Sequence, residues 1–273
     1  DKEEGGRTLS NLGIAIIGGT GVYNQALLEN ETGLTVETRF GTVKMLQGTY
    51  KGRGIYFLAR HGGGHTVPPH LINYKANIAA LKKLDVHAII ATAAVGTMRP
   101  EMPPGCRVII DQFIDFTKHR DLTFYEGEEG FVVHTDFTDP YCPDLRAAIL
   151  RAGAFLEQPL VDGGCYVCCE GPRFETPAEI KMFERWGGDL VGMTNVPEVV
   201  LAREAGLCYA TIALPTNFAA GISATPLTHE EVLDEMSKGK PLLDRLLMAC
   251  IEEIKPEHGC SCGEAGKYWP KGQ

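Results

Sequence analysis

The sequence predicts an α/β fold built as one domain, on three observations. Short apolar runs alternate with helical patterns along the chain. Two helix starts carry capping boxes, Thr176-Pro177-Ala178-Glu179 and Thr228-His229-Glu230-Glu231. No low-complexity linker or internal repeat divides the 273 residues. The whole span 1–273 therefore reads as a single domain, with a Cys/Gly-rich C-terminal tail from about residue 256.

The elements follow in order. Residues 12–17 form an apolar run that reads as a buried strand entering the tight loop Gly18-Gly19-Thr20-Gly21. Residues 55–59 form a second strand, ending at Arg60-His61-Gly62-Gly63-Gly64-His65. Residues 70–84 predict a helix, with Leu71, Ile78 and Leu81 on one face and Lys82 and Lys83 opposite. Residues 86–92 predict a strand, followed by a turn of small residues at Ala93, Ala94 and Gly96. Residues 107–110 predict another strand. Strands at 189–193 and 207–214 bracket a helix over 197–205 that Gly206 stops. The last helix runs from 229 toward 254, with Gly239 and Pro241 expected to break or kink it. The glycine loop, the Arg60-His61 loop and the Ala93-Ala94 turn all follow strands, where functional loops of such sheets gather.

Bulk properties narrow the partners. The composition, 44% hydrophobic and 22% charged, is that of an ordinary water-soluble chain. A net charge of −9 argues against nucleic acid or an anionic membrane as the main partner, though not against a small anion in a locally positive pocket. No apolar run is long enough to span a bilayer, and residues 1–11 are polar without an apolar core, so a cytoplasmic location is expected. Seven of the nine cysteines divide into three kinds. Cys106, Cys165 and Cys250 read as core fillers, Cys168 and Cys169 flank a motif, and Cys260-Ser261-Cys262 lies in the tail. A zinc site asks for two paired clusters at defined spacing, and the second pair is missing, so no metal is expected. A structural disulfide is the other reading of the tail.

Three motifs carry chemistry. Glycines at Gly18-Gly19-Thr20-Gly21 let backbone N–H groups approach an anion, and Thr20 adds a hydroxyl, although glycine turns also follow strands for structural reasons alone. The loop matches neither GxGxxG nor a Walker sequence, which argues against a nicotinamide cofactor and against ATP. Arg60, at a strand end before three glycines, offers a planar fork suited to phosphate, with a surface ion pair as its alternative. His61 and His65 have metal-ligand spacing only if helical, which a glycine-rich loop is not. Cys169-Glu170-Gly171-Pro172-Arg173-Phe174-Glu175-Thr176 presents an aromatic ring and a carboxylate just before a capped helix. A flat ring can cover a flat base, and a carboxylate can accept from ring N–H groups. That loop is followed by Gly192-Met193-Thr194-Asn195-Val196-Pro197-Glu198.

With these motifs the chain resembles the trimeric purine nucleoside and methylthioadenosine phosphorylases, from Ile16 through the last helix. The resemblance also rests on Ala59-Arg60-His61-Gly62, Asn73-Tyr74 and Asp111-Gln112-Phe113-Ile114-Asp115. It implies a central mixed, partly barrel-like sheet flanked by helices. It implies phosphorolysis of a purine nucleoside, with inorganic phosphate as co-substrate and no cofactor. Phosphate would be held by Thr20, Arg60, His61, Ala93, Ala94 and Thr194. Ala93 departs from members that place a hydroxyl residue there. Met193 would lie under the ribose and Phe174 against the base. His134 would reach a neighbouring subunit in a homotrimer or a dimer of trimers. Cys142 and Cys208 resemble positions bridged by a disulfide in some thermophilic archaeal members, and Cys260/Cys262 resemble a C-terminal pair in them.

Three positions point to 6-oxopurines such as inosine and guanosine. Adenine-specific members carry Asp-x-Asp after Thr, whereas this chain has Thr216-Asn217-Phe218-Ala219. The Asn217 amide can donate to O6 or N7 as the base leaves. Glu175 can accept from N1–H, a proton that adenine lacks. His229 resembles the histidine that bonds the ribose 5′-hydroxyl, and a helix N-terminus keeps such an imidazole neutral. The alternatives are a methylthioinosine or methylthioadenosine phosphorylase and a non-catalytic nucleoside-binding protein.

Overall fold

In the computed structural model, residues 13–19, 22, 28–127, 130, 132–222, 228–255 and 259–269 are described, residue 229 by its backbone alone. Strand β1 (Gly13–Gly18) is buried at every position, as an apolar run covered on both faces must be. It lies parallel between β4 (Arg53–Ala59) and β5 (Val86–Thr97). Two antiparallel strands that the sequence reading did not foresee, β2 (Glu29–Thr38) and β3 (Gly41–Tyr50), extend the sheet beyond β4. On the other side β5 pairs in parallel with β11 (Cys208–Phe218) and, at its far end, antiparallel with β10 (Leu190–Gly192). From β10 the sheet continues through β9 (Cys165–Cys169) to β7 (Gln112–Phe116). A second branch runs from β11 to β6 (Val108–Ile109) and β8 (Val161–Asp162).

Helices cover both faces. Alternate residues of β1 face opposite ways. Ala15 and Ile17 join Ile78, Leu81, Val199 and Leu201 of α1 (Tyr74–Lys83) and α4 (Asn195–Glu204). Ile14 and Ile16 join Leu145, Ile149, Leu246 and Ile251 of α2 (Pro143–Phe155) and α5 (His229–Glu253). The fold is thus one mixed α/β domain with a large branched sheet between helical layers.

The helix expected from residue 70 starts at Tyr74. Asn73 caps it by accepting from the Ala76 amide at 3.0 Å, which leaves residues 69–71 as a separate short turn. Leu71 is consequently 66% exposed and belongs to no apolar face. The expected Ala93-Ala94 turn is strand instead. β11 carries the ladder onward through Ala213↔Ala93 and Leu214↔Ala94, so β5 continues to Thr97. Helix α5 runs unbroken through Gly239 and Pro241. Leu243, Leu246 and Ile251 hold it on the sheet, and Arg107 donates to the Gly239 carbonyl at 3.3 Å. Cys250 is buried and Cys106, half-buried, packs against the core, whereas Cys165 is half-buried and outside the core clusters. Cys142 and Cys208 stand as free thiols rather than as the expected bridge, and Cys260 and Cys262 bring their sulfurs within 4.8 Å of the same two.

Both expected starts are capped, α5 by Thr228 Oγ1 alone, which accepts from Glu231 N at 3.2 Å. In α3 (Pro177–Arg185) the box is reciprocal: Thr176 Oγ1 accepts from Glu179 N at 3.2 Å, and the Glu179 carboxylate accepts from Thr176 N at 2.7 Å. Arg173 grips the same carboxylate and holds it down to about 2. Thr176→Ala should cost about 1 kcal/mol in urea unfolding. An unchanged midpoint would show that the cap is idle.

Candidate active site

One edge of β5 changes partner. β1 pairs with it as far as Ala91, and β10 takes over at Gly96. At this break the ends of β1, β4, β9 and β10 open onto one cavity of about 370 Å³. Of the residues singled out from the sequence, Arg60, His61, Ala93, Ala94, Phe174, Glu175, Met193, Thr194 and Asn217 all line it. The arrangement follows the rule that ligands sit where strand order switches.

The anion end is held rigidly. Arg60 directly follows β4 and is 3% exposed. Its Nε and Nη2 donate to the two oxygens of Glu198 at 2.6 and 2.7 Å, and its Nη1 donates to the Thr92 carbonyl at 2.9 Å. Glu198 also accepts from the Tyr209 hydroxyl at 2.8 Å. Three of the five guanidinium N–H groups are thereby fixed, and two remain for an oxyanion in the cavity. The Glu198 charge keeps Arg60 protonated far beyond the ordinary arginine value despite burial. Gly19 N, beside Arg60, donates to Thr92 Oγ1 at 3.3 Å.

His61 Nδ1 lies 2.9 Å from the Val67 carbonyl, an acceptor only, so Nδ1 carries the proton. Burial, with the Arg60 charge adding to it, holds the imidazole down to about 4, so it is neutral at pH 7. Nε2 is then an acceptor, suited to a P–OH group rather than to a bare oxyanion. Thr194, the residue before α4, makes no side-chain cap and lines the cavity.

The other end is built for a flat ring. After β9 the loop turns at Gly171, where φ is +65° and a Cβ would meet Met193 Sδ at 2.6 Å, so glycine lets the loop close onto Met193. Buried Arg120 braces this loop by donating to the Glu170 carbonyl at 2.7 Å and to its carboxylate at 3.1 Å. Phe174, 42% exposed, presents its ring at the mouth. Beside it, Glu175 Oε1 is enclosed without a hydrogen-bond partner among the described residues. Burial pushes its carboxyl above the ordinary value of 4.5. Asn217 sits at a bulge in β11 that re-aims its side chain into the cavity. Its Oδ1 accepts from Thr216 Oγ1 at 2.9 Å and its Nδ2 donates to the Phe218 carbonyl at 3.0 Å, which leaves one amide N–H without a partner among the described residues.

Of the remaining singled-out residues, only His134 can be placed. Thr20 lies outside the described residues, as does the side chain of His229. His134 is exposed and does not line the cavity of its own chain. The sequence reading missed Glu198, Tyr209, Thr216 and Val232. The one available signal was a glutamate inside the apolar run Val196-Pro197-Glu198-Val199-Val200. Among the described residues the tightest metal-capable group lies outside this cavity, at the other end of β11, and consists of Cys142, Cys208, Cys260 and Cys262.

Residues 13–252 match the model of the phosphorylase superfamily. The chain is 55% identical over 260 residues to a probable 6-oxopurine nucleoside phosphorylase of Dictyoglomus turgidum, covering 95% of this chain and 98% of that one. It is 52% identical over 259 residues to the 6-oxopurine nucleoside phosphorylase of Pyrococcus furiosus, covering 93% and 97%. Among solved structures, it superposes on the methylthioadenosine phosphorylase of Schistosoma mansoni in complex with adenine. The TM-score is 0.87 at 33% identity, over 94% of this chain and 96% of that one.

Proposed function

The chain belongs to the phosphorylase superfamily, and on that premise we propose that it cleaves 6-oxopurine nucleosides such as inosine and guanosine with inorganic phosphate. The observation that carries the base assignment is the enclosed, unpartnered Glu175 Oε1 beside Phe174. An acceptor of that kind matches N1–H of a 6-oxopurine and leaves adenine N1 facing another acceptor. The named activity of the two relatives agrees with this reading.

Phosphate lies at the Arg60, His61 and Thr194 end, with Thr20 and the backbone at Ala93 and Ala94 completing its pocket. A phosphate oxygen forms the new bond to C1′ while the C1′–N9 bond breaks, and the base departs with that electron pair. Charge growing on N7 and O6 meets the remaining Asn217 N–H. Met193 lies under the ribose, and His229 bonds its 5′-hydroxyl. The products are the free base and ribose 1-phosphate. Positioning and electrostatics supply the catalysis, with phosphate as co-substrate and no cofactor. The working enzyme is a homotrimer or a dimer of trimers in the cytoplasm, with His134 offered to a neighbouring subunit.

The decisive measurement compares inosine, guanosine, adenosine, methylthioadenosine and methylthioinosine, with and without phosphate. Phosphate-dependent cleavage of inosine and guanosine should exceed that of the adenine substrates by at least about 10²-fold in kcat/KM. Preference for methylthioinosine would keep the base assignment and overturn that of His229. Preference for methylthioadenosine would overturn both.

A further inference from the structure

The fold does with its cysteines what their spacing in sequence does not announce. Cys142 ends the segment before α2, Cys208 opens β11, and Cys260 and Cys262 come from the tail. Their four sulfurs all lie within 4.8 Å of one another, with Cys208 and Cys260 at 3.5 Å. Three of the four residues are buried and Cys260 is half-buried. Four sulfurs around a common point is the donor set of a tetrahedral thiolate site. Zn–S bonds of about 2.3 Å in a tetrahedron place the sulfurs about 3.8 Å apart. Each sulfur here has three near neighbours rather than a single partner.

We propose that Cys142, Cys208, Cys260 and Cys262 form a four-thiolate site for one zinc ion, which clamps the C-terminal tail onto α2 and β11.

The surroundings support a charged, oriented ligand set. Four thiolates and a dication leave two net negative charges, and Arg203, itself buried, brings its Nη1 to 3.8 Å from Cys262 Sγ. The same guanidinium has an enclosed Nε without a partner among the described residues, so no carboxylate competes for it at that atom. The Leu145 amide donates to Cys142 Sγ at 3.4 Å at the start of α2, an N–H···S bond that stabilises a ligating sulfur. Asp144 accepts from the amides of Gly259 and Cys260 at 2.7 and 2.9 Å, which aims the tail's sulfurs at the cluster. A cavity of about 210 Å³ lined by His87, Cys142, Asp144, Cys208 and Glu253 adjoins the sulfurs and gives an ion a way in. Neither His87 nor the carboxylates are needed as ligands. Binding releases the thiol protons as each sulfur ionises.

The test uses the full chain purified without chelator after growth in zinc-supplemented medium. Elemental analysis should give one zinc per chain. Displacement of the metal by an organomercurial should release zinc and expose the four thiols together. Cobalt substituted for zinc should show thiolate-to-metal absorption and the d–d bands of a tetrahedral ion. The Cys260→Ser/Cys262→Ser variant should lose the metal and melt at a lower temperature. It should keep phosphorolysis at moderate temperature, since none of these residues lines the catalytic cavity. A metal-free chain whose intact mass is lower by the hydrogens lost in forming disulfides overturns the proposal. So does full zinc content in the variant, and so does iron in place of zinc. Should the variant fail to fold, metal content, intact mass and the cobalt spectrum of the unmodified chain still decide.

Discussion

Arg60→Ala lowers kcat/KM for inosine phosphorolysis by about 10³-fold and raises KM for phosphate, because Arg60 lines the anion end of the cavity and two of its five N–H groups have no partner among the described residues. The substitution also leaves Glu198, at 0% exposure, as a buried carboxylate with the Tyr209 hydroxyl as its remaining side-chain donor among the described residues. Removing one partner of such a pair costs about 3–5 kcal/mol, so urea unfolding should shift strongly. Glu198→Gln separates the two effects. It keeps the shape and an acceptor for Tyr209 but loses the charge that holds the guanidinium. Phosphate KM should rise while the Arg60→Ala background shows little further loss, since both changes act through one guanidinium. Full additivity of the two substitutions would mean that Glu198 does not position Arg60. Unchanged phosphate KM in Arg60→Ala would remove Arg60 from the phosphate site.

What could be read in advance follows the range of the forces involved. Apolar runs such as residues 12–17 and the boxes at Thr176 and Thr228 are local, and they announced β1, α3 and α5. β2 was hidden because its sequence, Glu-Asn-Glu-Thr-Gly-Leu-Thr-Val-Glu-Thr, is largely exposed and buries only Val36 fully. The Ala93-Ala94 stretch read as a turn because small residues carry no strand propensity. Its extended shape comes from the ladder of β11, more than a hundred residues on in the chain. The same distance hid Glu198 and Tyr209, whose roles exist only once α4 and β11 stand beside β4. The four cysteines of the cluster were read as two separate pairs, and their meeting at one point was hidden for a related reason. Spacing rules look for paired ligands close in sequence, and here three separate elements supply the sulfurs. Arg60, His61, Phe174, Glu175 and Asn217 were legible because each sits in a loop or bulge whose composition packing alone does not explain.

Lowering the pH erodes the preference for inosine over adenosine, and Glu175→Gln removes most of that pH dependence. Burial raises the Glu175 carboxyl above 4.5, outweighing the donors that its own backbone N–H and the Cys169 thiol offer it. Ionised, Glu175 accepts from N1–H of a 6-oxopurine. Protonated, it becomes a donor that suits the bare N1 of adenine. As pH falls through the raised value, kcat/KM for inosine should therefore drop and that for adenosine should climb. Glu175→Gln carries both a donor and an acceptor at every pH, so its inosine-to-adenosine ratio should fall by about 10²-fold at neutral pH. The effect on stability has the opposite sign. A carboxyl raised by folding contributes stability below its unfolded value near 4.5 and loses that contribution as pH rises through the folded one. At pH 7 the ionised side chain works against the fold, so Glu175→Gln should unfold at higher urea than the parent. That gap should close in acid. A variant less stable at neutral pH, or a substrate ratio flat with pH in the parent, would mean that the Glu175 carboxylate does not read the base. An empty acceptor that costs stability until a ring N–H fills it is the expected signature of a site selected for its ligand rather than for its packing.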